Sequence, residues 1–592
     1  MRPVLLSKLT SANTSLYLIG SMCCLPFIIP YHNIPIPTFY NEWVAALCGL
    51  LGLTALFKSN IWQTLKLPRS SLIFLGLILI TNLQSVIDAK NTSPNLPLIQ
   101  SYLVWAFLLS LLGQYLQHRL GWEKLTLTLA RAILIAATVN LGFVVLQALQ
   151  QAGIAIPITR LQSYGMLAQN NNFADFIALG IISLLYLATK KRIHQHALLI
   201  GLFCGLVLLS LSGSRSSVLY LISITFFSWL LHRQLRASPD LEVPTDKLFK
   251  ISLALLPIFI MIQLVFAKYV PLELTHTPMM RVLEIMHTQA SSLRWQFWQT
   301  SLYLFQQSPL LGTGAGQMRW QSYLLANNSI ANPAHVFFEH AHNMFFNLLA
   351  EMGIFAFISV LVGLVFWTKD FFQKNTLQLE TWWLLAILSV LGIHSLLEYP
   401  LWYSFFLGIF AFLLGAGDAK TLTFNAFSQP VKRLLSLILL LVFVYGFQQL
   451  MVMQVAYRTL EKQIAIASQA TMTDLQKQHF IEEMLWVNDH TLLAPCAQLV
   501  IATFLSPNKT QASNQLPLVE SAAKFIPLRK VCLNLIILLE ISQRHTEALQ
   551  HLRRLSQIAG EQLQTDIQQL PPEHIPLLES LLNEIQQENL SN

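Results

Sequence analysis

Long stretches of this chain are almost entirely apolar, and polar residues gather at the breaks between them. A helix that crosses a bilayer needs about 20 mostly apolar residues. Thirteen runs approach that length, near residues 14–30, 43–57, 70–87, 100–116, 126–148, 173–188, 195–212, 217–232, 250–267, 344–367, 381–397, 401–416 and 434–453. The pattern predicts an all-α polytopic membrane protein with about 13 transmembrane helices filling residues 1–454. Two segments stand clear of the membrane in this reading. One is a large loop, about 268–343, before the tenth span, with a helical pattern over 291–307. The other is a soluble α-helical tail, 455–592. In the tail, Leu533, Ile536, Ile537, Leu539 and Ile541, and again Leu549, Leu552, Leu555 and Ile558, recur at helical spacing. Pro517, Pro527 and Pro571-Pro572 divide it into short helices, which suggests antiparallel pairs like tetratricopeptide repeats, although no clean period of about 34 residues is visible.

Composition agrees. Hydrophobic residues make up 54% of the 592 and charged residues only 11%, against about 25% charged in an ordinary soluble domain. Lys and Arg exceed Asp and Glu by 27 to 15 in residues 1–454, whereas the tail is acidic, with 10 against 14. The positive charge lies mostly in short loops between spans, so the net +8 points to membrane orientation and not to nucleic acid. With the N-terminus cytoplasmic, nineteen Lys and Arg fall in cytoplasmic segments, and only Lys90, Arg160 and Arg215 fall in short outer loops. An odd number of spans then places the tail and the large loop outside. Arg2 and Lys8 ahead of the first run resemble a signal peptide, but no small-residue cleavage site follows, so this run is expected to be an anchor. Cys23, Cys24, Cys48 and Cys204 sit in apolar runs. For Cys496 and Cys532 a disulfide and two buried thiols are both open readings.

Polar groups at membrane depth are costly and often functional. Four groups fit that description, all on the outer side of the predicted topology. The first is Gln169-Asn170-Asn171-Asn172, whose amides suit sugar hydroxyls or phosphate oxygens, with a helix N-cap as the plain alternative for Asn172. The second is Ser212-Gly213-Ser214-Arg215-Ser216-Ser217, a guanidinium among four hydroxyls that suits a phosphate; snorkelling to headgroups is the alternative for Arg215. The third is Glu339-His340-Ala341-His342-Asn343, with His suited to proton transfer near neutral pH. His335, His340, His342 and Glu339 have the chemistry of a zinc set, but their spacing matches no familiar zinc signature, and no metal is expected. The fourth runs from His394 through Glu398 and Tyr399 to Tyr403. An interfacial aromatic belt explains Trp402 and Tyr403 but leaves Glu398 unexplained. The large loop adds the cations Arg281 and Arg294. Gly312-Thr313-Gly314-Ala315-Gly316 lacks the Lys and Ser/Thr of a nucleotide loop and reads as a turn after Pro309, so no ATP and no other cofactor is expected.

The run from Ser308-Pro309-Leu310-Leu311-Gly312-Thr313-Gly314, through His340-Ala341-His342-Asn343, to Leu349-Ala350-Glu351-Met352-Gly353 resembles the O-antigen ligase and polymerase superfamily. Residues 165–172 and 394–403 look like bacterial O-linked protein oligosaccharyltransferases of the PglL type. That resemblance implies an inner-membrane glycosyltransferase. Such an enzyme moves a glycan from an undecaprenyl-diphosphate carrier to Ser or Thr of a periplasmic acceptor protein, such as a type IV pilin. It implies His342 as the catalytic histidine, Gln169 and Tyr399 at positions tied to activity, and Arg215 and Arg294 at the carrier's diphosphate. His340, Asn172, His394 and Arg281 are further candidates. In the chemistry this suggests, His342 is the base, Glu398 orients His342 or His394, and direct attack inverts the anomeric carbon. The alternatives are ligation or polymerisation on a glycolipid acceptor, a transporter of lipid-linked sugars, and a scaffold. A transporter predicts internal repeats and polar sites at mid-membrane, neither of which is visible; a scaffold leaves the four polar groups unexplained.

Overall fold

The computed structural model describes residues 11–57, 64–88, 92–154, 156, 165–167, 169–236, 245–269, 290–372, 378–425, 428–468 and 473–591. Arg281 lies outside them, as does the first part of the large loop. The helices, in chain order, begin with α1 (Ala12–Met22), α2 (Phe39–Gly52), α3 (Ser71–Ile87), α4 (Leu96–Leu120), α5 (Trp122–Gln151), α6 (Asn170–Thr189), α7 (Gln195–Leu211), α8 (Ser216–Arg236) and α9 (Thr245–Tyr269). They continue with α10 (Ala290–Gln307), α11 (Met318–Leu324), α12 (Met344–Lys369), α13 (Leu379–Ser395), α14 (Ser404–Ala416) and α15 (Gln429–Ala467). Seven more make up the tail: α16 (Asp474–His490), α17 (Ala494–Phe504), α18 (Ala512–Phe525), α19 (Arg529–Ile541), α20 (His545–Ala559), α21 (Gln562–Gln568) and α22 (Ile575–Ser591).

Each of the thirteen apolar runs forms a helix, as an all-α polytopic membrane protein requires. Among the described residues, eight helices are long and apolar enough to cross a bilayer. The helices at 12–28, 71–87, 195–211, 379–395 and 404–416 are shorter. Polar or proline breaks end two of them: Pro26 turns the chain into a 3-10 segment after α1, and Glu398-Tyr399-Pro400 separates α13 from α14. One element departs from an all-α reading. Strand β1 (Thr64–Pro68) pairs antiparallel with β2 (Thr421–Asn425), from Thr64 opposite Asn425 to Pro68 opposite Thr421.

The chain divides into two units, each assembled from separate stretches. The first comprises residues 1–75, 102–289 and 359–447. Its centre is α6, which is buried along nearly its whole length and packs against α5, α7, α8 and α13. The second comprises residues 76–101, 290–358 and 448–592. Here consecutive tail helices pack side by side, and their apolar core takes in two loop residues, Trp320 and Tyr323 of α11. The fully buried Tyr323 hydroxyl lies 3.2 Å from Nδ1 of His551 and donates to the His551 carbonyl at 3.3 Å, so the tail is built onto the loop segment and not merely attached after it. Cys532 lies in this core, Cys496 is buried elsewhere in the tail, both are free thiols, and burial pushes each up to about 12.

Candidate functional site

In the first unit, three of the four polar runs meet. Asn171, in the first turn of α6, donates from Nδ2 to Glu398 Oε1 at 3.1 Å. Its Oδ1 accepts from Ser214 Oγ at 2.7 Å. The amide thus ties the turn between α7 and α8 to the break after α13. The N-cap of α6 is Gln169, half-buried and making no side-chain cap bond, so the capping role considered for Asn172 is not the one it has. Asn172, in the same first turn, is buried, and its Oδ1 has no hydrogen-bond partner among the described residues.

The serines around Arg215 bond to one another and to their own turn. Ser214 Oγ lies 2.7 Å from Ser216 Oγ, Ser212 Oγ receives the Ser214 N–H at 3.2 Å, and all four serines are buried. They build the turn that Gly213 enters at φ 63°, while Arg215 is exposed. A cation held on a rigid turn can meet an anion with little loss of freedom.

Glu398 takes the Asn171 amide, and the acid beside His394 is Asp175 instead: His394 Nδ1 and Asp175 Oδ2 lie 3.4 Å apart, both fully buried. The sequence reading assigns Glu398 to either His342 or His394; beside His394 the structure has Asp175. The Glu398 N–H donates to the His394 carbonyl at 2.7 Å, a backbone bond that holds Glu398 just past the end of α13. Tyr399 stands at the start of the following 3-10 turn, its ring 5.4 Å from that of Trp402 and 5.9 Å from that of Tyr403. Residues that the sequence did not single out hold the approach to α6. Asn140 and Gln147 accept the Met166 and Gly165 N–H groups, each at 2.9 Å, and His32 Nε2 lies 3.0 Å from the Met166 carbonyl.

The second unit carries the His run. His340 is buried, and its Nδ1 accepts the His342 N–H at 2.8 Å, which puts any proton of the neutral ring on Nε2. Burial first, and the His342 imidazole second, push the His340 ring down to about 3. His340 therefore acts as a fixed acceptor for its neighbour, not as a proton carrier near neutral pH. His342 is half-buried at φ 52°, a backbone conformation uncommon outside glycine, with its ring 6.1 Å from that of Phe297. Three bonds support this geometry. Trp298 Nε1 donates to the Ala341 carbonyl at 3.0 Å, and Asn347 Oδ1 accepts the Ala341 N–H at 3.2 Å. Asn347 in turn donates to Glu351 Oε2 at 3.1 Å. Glu351 also accepts the Met318 N–H that opens α11, at 2.9 Å. Asn343 caps α12, accepting from Phe345 N at 3.0 Å. Of the other residues weighed as a zinc set, Glu339 pairs with Arg319, and His335 Nδ1 lies 2.7 Å from the Ala326 carbonyl. Arg294 precedes Phe297 and Trp298 by one turn of α10, and that spacing puts it on their face of the helix.

The glycine run is a docking loop, as its turn reading implies. α12 breaks at Gly353, φ 72°, and the loop after Pro309 enters the break. Thr313 N–H donates to Ala350 O at 2.9 Å, Gly314 N–H to Glu351 O at 3.0 Å, and Ile354 N–H to Pro309 O at 2.9 Å. Gln84 closes the joint, donating to Glu351 O at 2.7 Å and accepting from Ala315 N at 3.2 Å.

The acceptor role of His340 can be checked by substitution. His340→Asn, whose Oδ1 can replace Nδ1, is expected to retain most of the transfer rate. His340→Leu leaves the His342 N–H unpaired, a loss of about 1–3 kcal/mol, and is expected to lose most of the activity. Equal loss in both variants would contradict the role. The depressed titration also has a sign. Between about 6.5, the usual value for an unfolded chain, and about 3, the unfolded state binds the extra proton. The stability this ring contributes is therefore present above that window and is lost as pH falls through it.

Residues 200–361 match the family described as O-Antigen ligase, and residues 382–568 match "Virulence factor membrane-bound polymerase, C-terminal". A General O-oligosaccharyltransferase of Acinetobacter baylyi is 26% identical over 70% of this chain and 72% of its own length. A ComP-specific O-oligosaccharyltransferase of the same organism is 24% identical over 66% of this chain and 68% of its own. Two segments of the chain thus match models of the O-antigen ligase and membrane-bound polymerase families, and the chain is similar to bacterial O-oligosaccharyltransferases.

Proposed function

We propose that this protein is a bacterial inner-membrane O-oligosaccharyltransferase. It moves a glycan from an undecaprenyl-diphosphate carrier to Ser or Thr of a periplasmic protein, with a type IV pilin as the acceptor of first choice. The observation that carries the reading is the preparation of His342. Its backbone is held in an uncommon conformation by His340, Trp298 and Asn347, while its ring stays half-buried. Kinship with two named O-oligosaccharyltransferases supports a protein acceptor.

The chemistry follows from the groups. A lipid diphosphate is already an activated leaving group, so no nucleotide is needed. The acceptor hydroxyl must lose its proton as it attacks the anomeric carbon, and His342 takes it. The glycosidic carbon–oxygen bond to the diphosphate breaks as the new bond forms, with inversion. Arg215 and Arg294 offset the charge left on the departing diphosphate. Gln169, Glu398 and Tyr399 position substrate.

Purified protein supplied with a polyprenyl-diphosphate glycan should glycosylate a purified pilin subunit, and EDTA should leave the rate unchanged. Transfer only to lipid A core, or loss of activity in EDTA that a divalent metal restores, would overturn the acceptor or the metal-free mechanism respectively.

A further inference from the structure

One cleft in the first unit lies away from all of these residues. It encloses about 950 Å³ between α1 and α5. Its floor is a close approach of the two helices, where a Cβ at Gly20 would meet Thr128 at 3.6 Å and Ala132 at 3.8 Å. Arg192, which also lines it, follows the C-terminal end of α6, whereas Gln169 caps the other end. A helix of 20 residues is about 30 Å long, so a membrane's thickness separates the cleft from the Asn171–Glu398 network within this unit.

Three exposed cations from two elements face this cleft: Lys124 and Arg131 of α5, and Arg192 of the turn after α6. Lys124 Nζ is held by Asn13 Oδ1 at 2.6 Å, a neutral partner. The acidic groups nearby are already engaged, since Lys190 lies 2.5 Å from Glu380 and 3.9 Å from Glu123, which also lines the cleft. Arg131 is the unusual member. It sits in an apolar span, about 13 Å along the helix from Trp122, where a guanidinium is costly without an anion. Side chains on a helix tilt toward its N-terminus, so Arg131 reaches back toward Lys124. Beyond the cations the walls are apolar, with Tyr17, Leu25 and Ile135 exposed along them.

We propose that this cleft binds one anionic glycerophospholipid. Its phosphodiester sits among Arg131, Lys124 and Arg192, and an acyl chain lies against Tyr17, Leu25 and Ile135. On the positive-inside orientation the lipid belongs to the cytoplasmic leaflet. Apolar walls beneath a cationic mouth match a lipid, not free phosphate, and the net positive lining selects an anionic headgroup over a zwitterionic one.

The full-length protein would be reconstituted in vesicles of phosphatidylglycerol and phosphatidylcholine in equal parts, extracted in mild detergent, and weighed intact by native mass spectrometry. The wild type is expected to retain one phosphatidylglycerol in preference to phosphatidylcholine. Arg131→Gln and Arg192→Gln should each lower that retention by about fivefold, the worth of one basic side chain at an anionic surface. Lys250→Gln, a cation outside the cleft, should not lower it, and excess inorganic phosphate should not displace the lipid. Equal retention of the two lipids, Arg variants that match the wild type, an equal loss in Lys250→Gln, or displacement by free phosphate would each overturn the proposal. A thermal melt of each variant in detergent separates lost binding from lost folding, and none of these readouts depends on glycan transfer.

Discussion

His342→Ala is expected to lower glycan transfer by about 10²- to 10⁴-fold, the range for removing a general acid or base, without loss of membrane insertion. The bonds to the backbone make this a clean test of the ring. His340 Nδ1, Trp298 and Asn347 grip the backbone of residues 341 and 342, and none of these bonds uses the His342 ring. Alanine at φ 52° carries a strain close to that of histidine, so the supporting network should persist. The measurement is initial rate against pH for wild type and variant, beside a thermal melt of each. A variant that melts like the wild type and transfers at the wild-type rate would remove His342 from the chemistry.

The second large effect is on stability. Gly312→Ala should destabilise the second unit by about 3–5 kcal/mol, a large part of the 5–15 kcal/mol typical of a domain. Gly312 has φ 72°, and its added Cβ would lie 2.3 Å from the Glu351 carbonyl carbon and 2.4 Å from Met352 N, both backbone atoms that cannot swing aside. Relief requires withdrawing the loop from the helix break, which breaks the bonds of Thr313, Gly314 and Ile354 at about 1 kcal/mol each. Gly560→Ala is the control. It also has positive φ, at 53°, but nothing within 4 Å of its Cβ, so only the strain of about 1 kcal/mol remains. Similar melting temperatures for the two variants would show that the loop does not depend on this close approach.

Much of the architecture is legible because burial in a membrane demands continuous apolar runs, and each run became a helix. The β1–β2 ribbon is not legible, since five residues of mixed polarity carry little signal and the partners lie far apart in the chain. The candidate site shows the same division. Gln169, Arg215, Glu398 and His342 stand out as polar groups at the edges of apolar runs, and three of those runs are hydrogen-bonded together. What the sequence hides is support. Asp175 lies inside an apolar run and reads as the tail of a helix cap, yet it is the acid beside His394. Asn347 and Glu351 look like ordinary residues of the first two turns of a span, and only their contacts with Ala341 and Met318 reveal their place. Trp320 and Tyr323 read as loop residues, because nothing local to them announces a core built from helices some 200 residues away.

Intact mass of periplasmic proteins from cells with and without this gene, beside the lipopolysaccharide of both strains, tests the central claim most directly. The account predicts that deletion removes a glycan-sized mass from a pilin or another periplasmic protein, that lipopolysaccharide is unchanged, and that His342→Ala behaves as the deletion does. Unchanged protein masses with shortened or lost lipopolysaccharide would contradict it and assign the enzyme a glycolipid acceptor.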